Sequence, residues 1–454
     1  MKIAVYSSCG NGAESAFIAA YRFLPDRASV WDEISEMFPE HEFKVYVGFQ
    51  GGTTIDEDGK SILKTAGKVP YTLIPLNYGV EEIADLIAKD SPDVAVAFST
   101  PSIPYDWGSV RDSLIAEVLR EKGIRTISHN TWLSEEAFEK HKINKRLKEL
   151  GFLVPEGIYV NKKLFDACYE NAGIVRNAYR DYIKHNIGKL KFPVIIKNDS
   201  GAGSVGLSVA KTLDDAIAIL DSDKSGMDMI VEERIPGINF GAEIYGADGT
   251  YSFKGPIIFS SNEDGVTDPF ASVKFGPVKN EKFKIKELKE MLLRMAKELW
   301  FCGGVQIDLM FSEGKWYIIE INPRFSLMSM LIAAIDNRNM FYNFVAPAID
   351  NAKIDSAPSD QKFAIDFKTL IFEEEAIKDL RKDFESIKTA MRFSLSTSEN
   401  SGVKYTEMAM GGFATPQELI EGLKEINKKY PLIATDKVVE NVVSLIDYIE
   451  RDTL

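Results

Sequence analysis

The sequence predicts a mixed fold, with a parallel α/β part first and antiparallel α+β parts after it. Three observations support this prediction. The composition is that of a globular protein, with 45% hydrophobic and 27% charged residues. Short apolar runs alternate with amphipathic helical patterns as far as about residue 130, and antiparallel strand patterns dominate from about residue 187. The 454 residues suffice for about three domains, which we assign to 1–130, 131–350 and 351–454.

The first region alternates strands and helices. Its strand patterns are IAVY (3–6), KVYVGF (44–49), YTLIPL (71–76), DVAVAF (93–98) and RTISH (125–129). Its helical patterns are AFIAAYRFL (16–24), VEEIADLIAKD (80–90) and SVRDSLIAEVLREKG (109–123). This rhythm predicts a doubly wound parallel sheet. Ligands bind such sheets at the carboxyl ends of the strands, so the loop Ser99–Gly108 is a candidate substrate contact.

The second and third regions combine hairpins with helices. A charged helix over 135–150 ends at Gly151. The strand patterns that follow lie at 193–197, 207–212, 229–235, 241–258, 305–311 and 316–322, and helices lie at 213–220 and 284–300. A glycine-rich lid subdomain is expected over about 187–235. In the third region, strands are predicted near 362–371 and 403–410, and helices at 373–390, 416–429 and 436–451.

Charge and composition exclude several classes of protein. The net charge of -14 argues against a nucleic-acid partner, because phosphate binding needs concentrated Lys and Arg. No apolar run is long enough to span a bilayer, and the N-terminus lacks the pattern of a signal peptide. The three cysteines are far apart, which favours reduced thiols. We therefore expect a cytoplasmic protein without a membrane partner.

Polar side chains share one face of an otherwise apolar hairpin. Gln306 and Asp308 are two residues apart in VQIDLMF, as are Glu320 and Asn322 in YIIEIN, and alternate residues of a strand point to one face. The turn SEGK (312–315) places the two strands side by side. The converging oxygens suit Mg²⁺, with Mn²⁺ as an alternative. Solvated strand faces are the other interpretation, and either Gln306 or Asp308 could be the primary metal ligand.

Basic residues accompany this hairpin. Arg324, two residues beyond Asn322, can reach a phosphate or a carboxylate at the same centre. Lys197 ends a predicted strand, and the loop DSGAGSVG (199–206) supplies backbone N–H groups that can approach phosphate oxygens closely. The loop is not GxxxxGK[ST], since the lysine precedes the glycines, and a flexible turn is the alternative interpretation.

Glu232 and Glu233 end the strand MIVEERI, where an irregular segment begins. Such a junction exposes backbone groups to an adenine edge, and a pair of solvated charges is the alternative. His129 and His141 lie near this region. For both, a core or surface position is a simpler account than a substrate contact.

Together, these motifs resemble the ATP-grasp superfamily of carboxylate–amine ligases over about residues 1–345. The order is similar: a Rossmann-like domain, a lysine-bearing helix, a lysine with a glycine loop, a glutamate pair, and a hairpin ending in E-x-N-P-R (320–324). The resemblance implies a Rossmann-like preATP-grasp domain, an ATP-grasp fold and a C-terminal α+β domain. It also implies ATP and Mg²⁺ as cofactors, small-molecule carboxylates and amines as substrates, and a homodimer as a common assembly.

The resemblance implies a role for each motif residue. The nucleotide-binding set is Lys140, Lys197, Ser204, Val205, Gly206, Glu232 and Glu233. The metal set is Asp308, Glu320 and Asn322, with Gln306 at its edge. Arg324 matches the arginine that stabilises the acyl-phosphate step and contacts substrate. Lys197 and Arg324 are therefore the expected catalytic residues.

The glycine loop has the spacing of D-alanine–D-alanine ligases, with eight residues between Lys197 and Gly206. The N-terminal KIAV…GAES is also similar to theirs, which implies that Glu14 holds the substrate ammonium. There are departures. The family's ribose-binding glutamate falls on Asn239, with Glu243 nearby, and the segment NPRFSLMSM is more similar to the carbamoyl-phosphate and carboxylase branch.

The reaction that the resemblance implies begins with attack of a carboxylate on the γ-phosphate of ATP. This step gives an acyl phosphate and ADP, and an amine then displaces the phosphate. An enzyme using bicarbonate or a hydroxyl on the same fold, such as a carboxylase or a kinase, is one alternative. A non-catalytic nucleotide-binding protein is another, but it would need a lost metal ligand, and none of Asp308, Glu320 and Asn322 is missing.

Overall fold

The computed structural model describes most of the chain. The residues described are 1–8, 20–21, 30–48, 68–75, 77–99, 107–167, 177–200, 207–268, 270–349, 361–372, 379–380, 383, 386–397 and 402–451. Within them, the strands form a five-stranded, a four-stranded and a nine-stranded sheet. The mixed α/β and α+β class that the sequence predicts is therefore confirmed.

The first region forms the five-stranded parallel sheet. Its elements are β1 (Lys2–Ser7), β2 (Ala20–Tyr21), α1 (Val30–Met37), β3 (Glu42–Gly48), β4 (Tyr71–Ile74), α2 (Val80–Ala88), β5 (Val94–Ala97), α3 (Gly108–Glu121) and β6 (Arg125–Ile127). The strand order is β4-β3-β1-β5-β6, with parallel pairing throughout. β2 stands apart, because it pairs with a strand of the nine-stranded sheet. The helix predicted over 16–24 is therefore wrong at Ala20–Tyr21, where backbone pairing decides the conformation.

The four-stranded sheet follows two helices. The elements are α4 (Thr131–Phe138), α5 (Lys140–Glu149), β7 (Gly157–Val160), α6 (Lys162–Phe165), α7 (Ala178–Ile187), β8 (Val194–Asn198), β9 (Ser208–Ala210), α8 (Leu213–Ser222) and β10 (Met229–Glu233). The order is β7-β10-β8-β9, all antiparallel. The single helix predicted over 135–150 is wrong, because the extended Glu139 (φ -97, ψ 97) separates α4 from α5.

The nine-stranded sheet takes in the rest of the chain. Its elements are β11 (Ile238–Ala247), β12 (Thr250–Phe259), β13 (Val273–Gly276), a 3₁₀ turn (Glu281–Phe283), α9 (Ile285–Glu298), β14 (Gly303–Ser312), β15 (Lys315–Asn322), α10 (Leu327–Asp336), α11 (Tyr342–Ile349), β16 (Phe363–Leu370), β17 (Ala390–Thr397), β18 (Lys404–Phe413), α12 (Pro416–Lys429) and α13 (Asp436–Glu450). The strand order is β15-β14-β11-β12-β13-β16-β18-β17-β2. The helix predicted over 373–390 is wrong at its end, since Ala390 begins β17 and pairs with Met410.

The two faces of the nine-stranded sheet are covered differently. On one face, α9, α12 and α13 bury the largest apolar cluster, which includes Leu292, Leu423 and Val442. On the other face, α10 packs through Met328 and Leu331. Within the described residues, no helix is both long and apolar enough to cross a bilayer. The candidate site lies on the α10 face, where the nine-stranded sheet meets both other sheets.

Aromatic rings join the parallel sheet to this face. The rings of Trp31 and Phe341 stack at 4.7 Å between centroids, and Phe98 meets Phe341 edge-on at 5.3 Å. The backbone N–H of Phe325 donates to the carbonyl of Ser99 at 2.9 Å. The carboxyl end of β5 is therefore fixed against the residue that follows Arg324.

Candidate active site

The polar hairpin has the register that the sequence predicts. Asp308 of β14 stands opposite Glu320 of β15, and Gln306 stands opposite Asn322. Directly opposed side chains lie on one face, about 5 Å apart between Cβ atoms. The apolar residues between them, such as Ile307 and Ile321, lie in the core on the other face. Four polar side chains are thus presented together on the inner side of the sheet.

A chain of hydrogen bonds fixes these side chains. Gln306 Nε2 donates to Asp308 Oδ1 at 2.6 Å, and Asn322 Nδ2 donates to Gln306 Oε1 at 2.9 Å. The guanidinium of Arg324 donates to Asn322 Oδ1 at 3.1 Å. Gln306 therefore orients its two neighbours, and it leaves one oxygen of Asp308 outside this chain.

Two buried lysines face the hairpin from other elements. Lys140, the first residue of α5, places its ammonium 3.3 Å from Glu320 Oε1. Lys197 of β8 places its ammonium 2.7 Å from Glu232 Oε2. Asn144, one turn after Lys140, donates to the other oxygen of Glu232 at 2.7 Å. The two predicted nucleotide lysines therefore lie at one site, each paired with a carboxylate.

The pKa shifts follow from burial and from neighbouring charges. Burial, together with the charge of Glu320, raises the pKa of Asp308 to about 6. Burial alone would raise the pKa of Glu320, but Lys140 and Lys197 outweigh it and hold that pKa below its usual value. Burial lowers the pKa of Lys197, but Glu232 and Glu320 outweigh it, and the net shift is upward. Lys197 and Glu320 are therefore both charged at neutral pH, as phosphate and metal binding require.

The donor set fits a magnesium ion. Asp308 and Glu320 repel each other across the register pair, and a divalent cation between them would relieve the repulsion. Within the described residues, no group of three or more His, Cys, Asp and Glu side chains could hold a metal by itself. Two carboxylates and the oxygen of Asn322 leave the remaining positions to water and phosphate, which is the binding mode typical of Mg²⁺.

The part of the chain that carries this site matches a known protein family. A family model described as an ATP-grasp domain matches residues 137–327, a range that begins just before Lys140 and includes every described polar residue of the hairpin.

Residues 137–327 form an ATP-grasp domain.

Relatives of the chain include a synthase and a ligase. Carbamoyl-phosphate synthase of Methanobrevibacter smithii is 24% identical over 253 residues, which are 55% of this chain and 59% of the synthase. D-alanine–D-alanine ligase of Bacillus anthracis is 23% identical over 293 residues, which are 63% of this chain and 87% of the ligase. The matched part thus spans little more than half of the synthase and most of the ligase.

Solved structures share the fold at low identity. The biotin carboxylase domain of Hydrogenobacter thermophilus 2-oxoglutarate carboxylase, a dimer in complex with MgADP and bicarbonate, has a TM-score of 0.59 and 12% identity, with 99% of this chain and 98% of that chain covered. L-amino acid ligase from Bacillus licheniformis has a TM-score of 0.59 and 10% identity, with 94% and 97% covered. The expected resemblance to ATP-grasp ligases is therefore confirmed.

Several predicted residues take other positions around the ATP-grasp site. Glu233 follows Glu232 on β10 and therefore points to the opposite face, where it accepts from the backbone N–H of Lys191 at 2.9 Å. Asn239 donates to Ser261 Oγ at 2.7 Å, near the sheet surface. A nucleotide contact for these residues stays a prediction.

Glu243 lies inside the ATP-grasp domain, with 1% of its surface exposed. Its carboxylate accepts from the hydroxyls of Tyr245 at 2.5 Å, Ser329 at 2.7 Å and Ser326 at 3.2 Å. Burial raises its pKa to about 7. Because Ser326 caps α10, Glu243 supports the segment that carries Arg324, and a ribose contact stays a prediction.

Other predicted residues lie outside the described part of the chain. They are Glu14, Ser204, Val205 and Gly206, and with them residues 100–106 of the candidate substrate loop. Their predicted roles in substrate and phosphate binding stay predictions. Ser99, at the start of that loop, has φ 25 and donates its hydroxyl to Asp112 Oδ2 at 2.8 Å.

Sequence reasoning missed three side chains of the site. Asn144 lies four residues after Lys140, a helical spacing that puts both on one face. The charge of Lys274 on β13 lowers the pKa of Asp308. The alternation in SVKFG predicts that Lys274 points to the other face of the strand from Val273 and Phe275. Asp199 contacts the start of α5 from the root of the glycine loop, and no sequence pattern connects these distant segments.

The histidines divide into two environments. His129 is buried, accepts from the backbone N–H of Cys302 at 3.2 Å and lies 3.1 Å from the carbonyl of Gly304. Burial lowers its pKa to about 4, so it is a neutral structural residue. His141 is instead part of the site's edge, where it contacts Asp199.

Proposed function

We propose that this chain is an ATP-dependent ligase that joins a small-molecule carboxylate to an amine through an acyl phosphate. One observation carries the proposal. The side chains of Lys140, Lys197 and Arg324 converge on a paired Asp308 and Glu320 in a largely buried site. Buried cations beside a magnesium-type oxygen set form a complementary environment for the phosphates of a nucleotide.

The first step transfers a phosphoryl group. A carboxylate oxygen of the substrate attacks the γ-phosphorus of ATP, and the bond to the bridging oxygen of ADP breaks. Magnesium held by Asp308, Glu320 and Asn322 would supply charge neutralisation when bound. Lys140 and Lys197 bind the nucleotide phosphates, and Arg324 stabilises the transferred group because its planar guanidinium can engage two oxygens at once.

The second step forms the amide. The amine attacks the carbonyl carbon of the acyl phosphate, and phosphate leaves. The backbone hydrogen bond between Phe325 and Ser99 supports placement of the substrate-binding end of the site between Arg324 and the parallel sheet. In this proposal, Glu14 and the segment after Ser99 contact the substrate, and the loop carrying Ser204–Gly206 covers the phosphates and excludes water.

The assembly and the domain limits are part of the same proposal. The dimer named for the related biotin carboxylase domain supports a homodimer, and the small-molecule chemistry supports a cytoplasmic location. The proposed domains remain 1–130, 131–350 and 351–454. The four-stranded sheet takes in Gly157–Val160, before the start of about 187 expected for the lid.

Activation of bicarbonate is a second candidate function. It is favoured by the match to carbamoyl-phosphate synthase and by the fold shared over 99% of this chain with a biotin carboxylase domain crystallised with bicarbonate. The same phosphoryl transfer would then produce carboxyphosphate, and Arg324 would hold the smaller anion.

The decisive experiment measures ADP release from MgATP with pools of amino acids, small carboxylates and bicarbonate. A carboxylate–amine ligase requires one member of each class, whereas a carboxylase responds to bicarbonate. We expect Glu320→Gln to lower ADP release by about 100-fold or more, because it removes the charge that faces Lys140 and the metal.

Glu313→Gln is the matched control for this variant. Glu313 lies in the exposed turn of the same hairpin, so the same chemical change there should leave ADP release intact. Equal activity of Glu320→Gln and the wild type would reject the assignment of the site, and ADP release with a hydroxyl substrate alone would indicate a kinase.

A further inference from the structure

The helix that carries Lys140 is capped from outside. At the start of α5, Glu139 provides no side-chain cap. Asp199, just after β8, takes over this function: its carbonyl accepts from the N–H of Lys140 at 3.0 Å, and its Oδ1 accepts from the N–H of His141 at 2.9 Å. A carboxylate at this position also interacts favourably with the helix dipole.

The second oxygen of Asp199 binds the imidazole of His141. Nδ1 of His141 lies 2.6 Å from Asp199 Oδ2, and Asp199 is 3% exposed. Since a carboxylate only accepts hydrogen bonds, Nδ1 is the donor. Both carboxylate oxygens and the carbonyl of Asp199 are therefore engaged by two consecutive residues of α5.

The pair is itself held in place. The ring of His141 lies on the ring of Tyr159 at 4.1 Å between centroids, and the hydroxyl of Tyr159 donates to Asp228 Oδ2 at 2.5 Å. The N–H of Asp199 donates to the carbonyl of Asp228 at 2.9 Å. The contact between Asp199 and His141 thus belongs to a closed network at the edge of the four-stranded sheet.

This contact joins two separate apolar cores. Ile143 and Leu147 of α5 belong to the core of the nine-stranded sheet, whereas Val194 and Ile196 of β8 belong to that of the four-stranded sheet. Lys140 precedes His141 directly, and Lys197 lies two residues before Asp199. The contact therefore links the two backbone segments that carry the lysines.

We propose that Asp199 and His141 are positioning residues that fix the spacing of Lys140 and Lys197 for the phosphates of ATP. This inference rests on the proposed nucleotide site and adds two residues to it. Neither residue needs to touch the nucleotide, because each acts through the lysine beside it. Loss of their contact should weaken MgATP binding without unfolding the protein.

The test compares two variants of His141 in the full-length protein. His141→Asn keeps a donor near the position of Nδ1 and removes the ring, whereas His141→Phe keeps the ring on Tyr159 and removes the donor. We expect His141→Phe to raise the Kd for MgATP about tenfold and His141→Asn to stay within about threefold of the wild type, since one hydrogen bond to a charged group is at stake. Calorimetric titration with MgATP and a thermal melt of each variant provide the measurements.

His185→Phe is the matched control, because His185 is an exposed histidine on α7. If His141→Phe does not fold, Asp199→Asn replaces it in the test. This variant keeps the cap but removes the charge, and it should also weaken MgATP binding severalfold. Unchanged affinity in His141→Phe, or an equal loss in His141→Asn, would overturn the inference. A wild type that fails to bind MgATP would instead reject the nucleotide site itself.

Discussion

Among the residues that the structure describes, Asp112 is the most completely buried carboxylate outside the ATP-grasp site. It is 0% exposed, accepts from the N–H of Ser8 at 2.8 Å and from Ser99 Oγ at 2.8 Å. These bonds tie the carboxyl ends of β1 and β5, which are neighbours in the parallel sheet. Burial raises the pKa of Asp112 to about 6, against the smaller effect of its hydrogen bonds from Ser8.

This raised pKa makes stability depend on pH. Between the unfolded pKa of about 4 and the folded pKa of about 6, the folded state binds the proton more tightly, so the stabilising contribution is lost as pH rises. We expect the free energy of unfolding of the wild type, relative to Asp112→Asn, to fall by about 2 kcal/mol between pH 4 and pH 7. Urea unfolding of both proteins across this range measures it, and a pH-independent difference would contradict it.

Single residues also show what the sequence could predict. The period of two on each strand was enough to place Gln306, Asp308, Glu320 and Asn322 on one face. Glu233 was harder, because only the phase of β10 tells which of two consecutive glutamates turns inward. The contacts of Asp199 could not be predicted from the sequence, since its partners lie on a helix almost sixty residues earlier and no periodicity connects the two segments.

At the scale of elements, the hairpin between β11 and β12 depends on its glycines. Gly249 in the turn has φ +83, and a Cβ there would meet no atom within 4 Å. Gly246 has φ +152, and a Cβ there would collide with the carbonyl of Thr250 and lie 2.8 Å from the Cα of Tyr251. A side chain at Gly249 therefore meets backbone strain alone, whereas a side chain at Gly246 also overlaps with neighbouring backbone atoms.

We expect Gly249→Ala to cost about 1 kcal/mol, the usual penalty for a side chain in the left-handed region. Gly246→Ala should cost at least about 2 kcal/mol more, because the backbone itself must move. The midpoints of urea unfolding for both variants give the comparison. If the two variants were equally stable, overlap at Gly246 would not be the dominant effect.

Elements differed in how well the sequence predicted them. The five parallel strands and the turn SEGK were confirmed, because apolar runs bounded by turn residues are strong local signals. The break at Glu139 was missed, since glutamate is a good helix former and the hydrogen bonds to Asp199 that accompany the break leave no local pattern in the sequence. β2 was assigned to a helix because pairing with β17, far along the chain, overrides a short amphipathic pattern.

For the whole molecule, the third region shares a sheet and an apolar core with the second. β16 pairs with β13, and side chains from both regions, such as Phe275 and Met408, share one apolar cluster. We expect a protein ending at residue 350 to lose soluble, protease-resistant structure, because β13 and the face under α12 and α13 would be exposed. Soluble yield and limited proteolysis measure this.

The contrary outcome of that truncation is informative. A stable, cooperatively folded fragment 1–350 would support 351–454 as an independent domain, as the sequence division proposes. The order of the three regions was predictable from the succession of patterns, but their fusion in one sheet was not, because β13 and β16 are joined by pairing that leaves no trace in either strand's composition.

The pairing of β2 with β17 has a consequence for synthesis on the ribosome. Ala20 pairs with Phe393, so one edge of the nine-stranded sheet joins two segments that lie far apart in the sequence. The nascent polypeptide can build its parallel sheet early, but this edge cannot close until the ribosome has synthesised β17. Contacts between such distant segments form slowly, and the half-made chain must keep the open edge of its sheet from pairing with other nascent chains until its own C-terminal strands arrive.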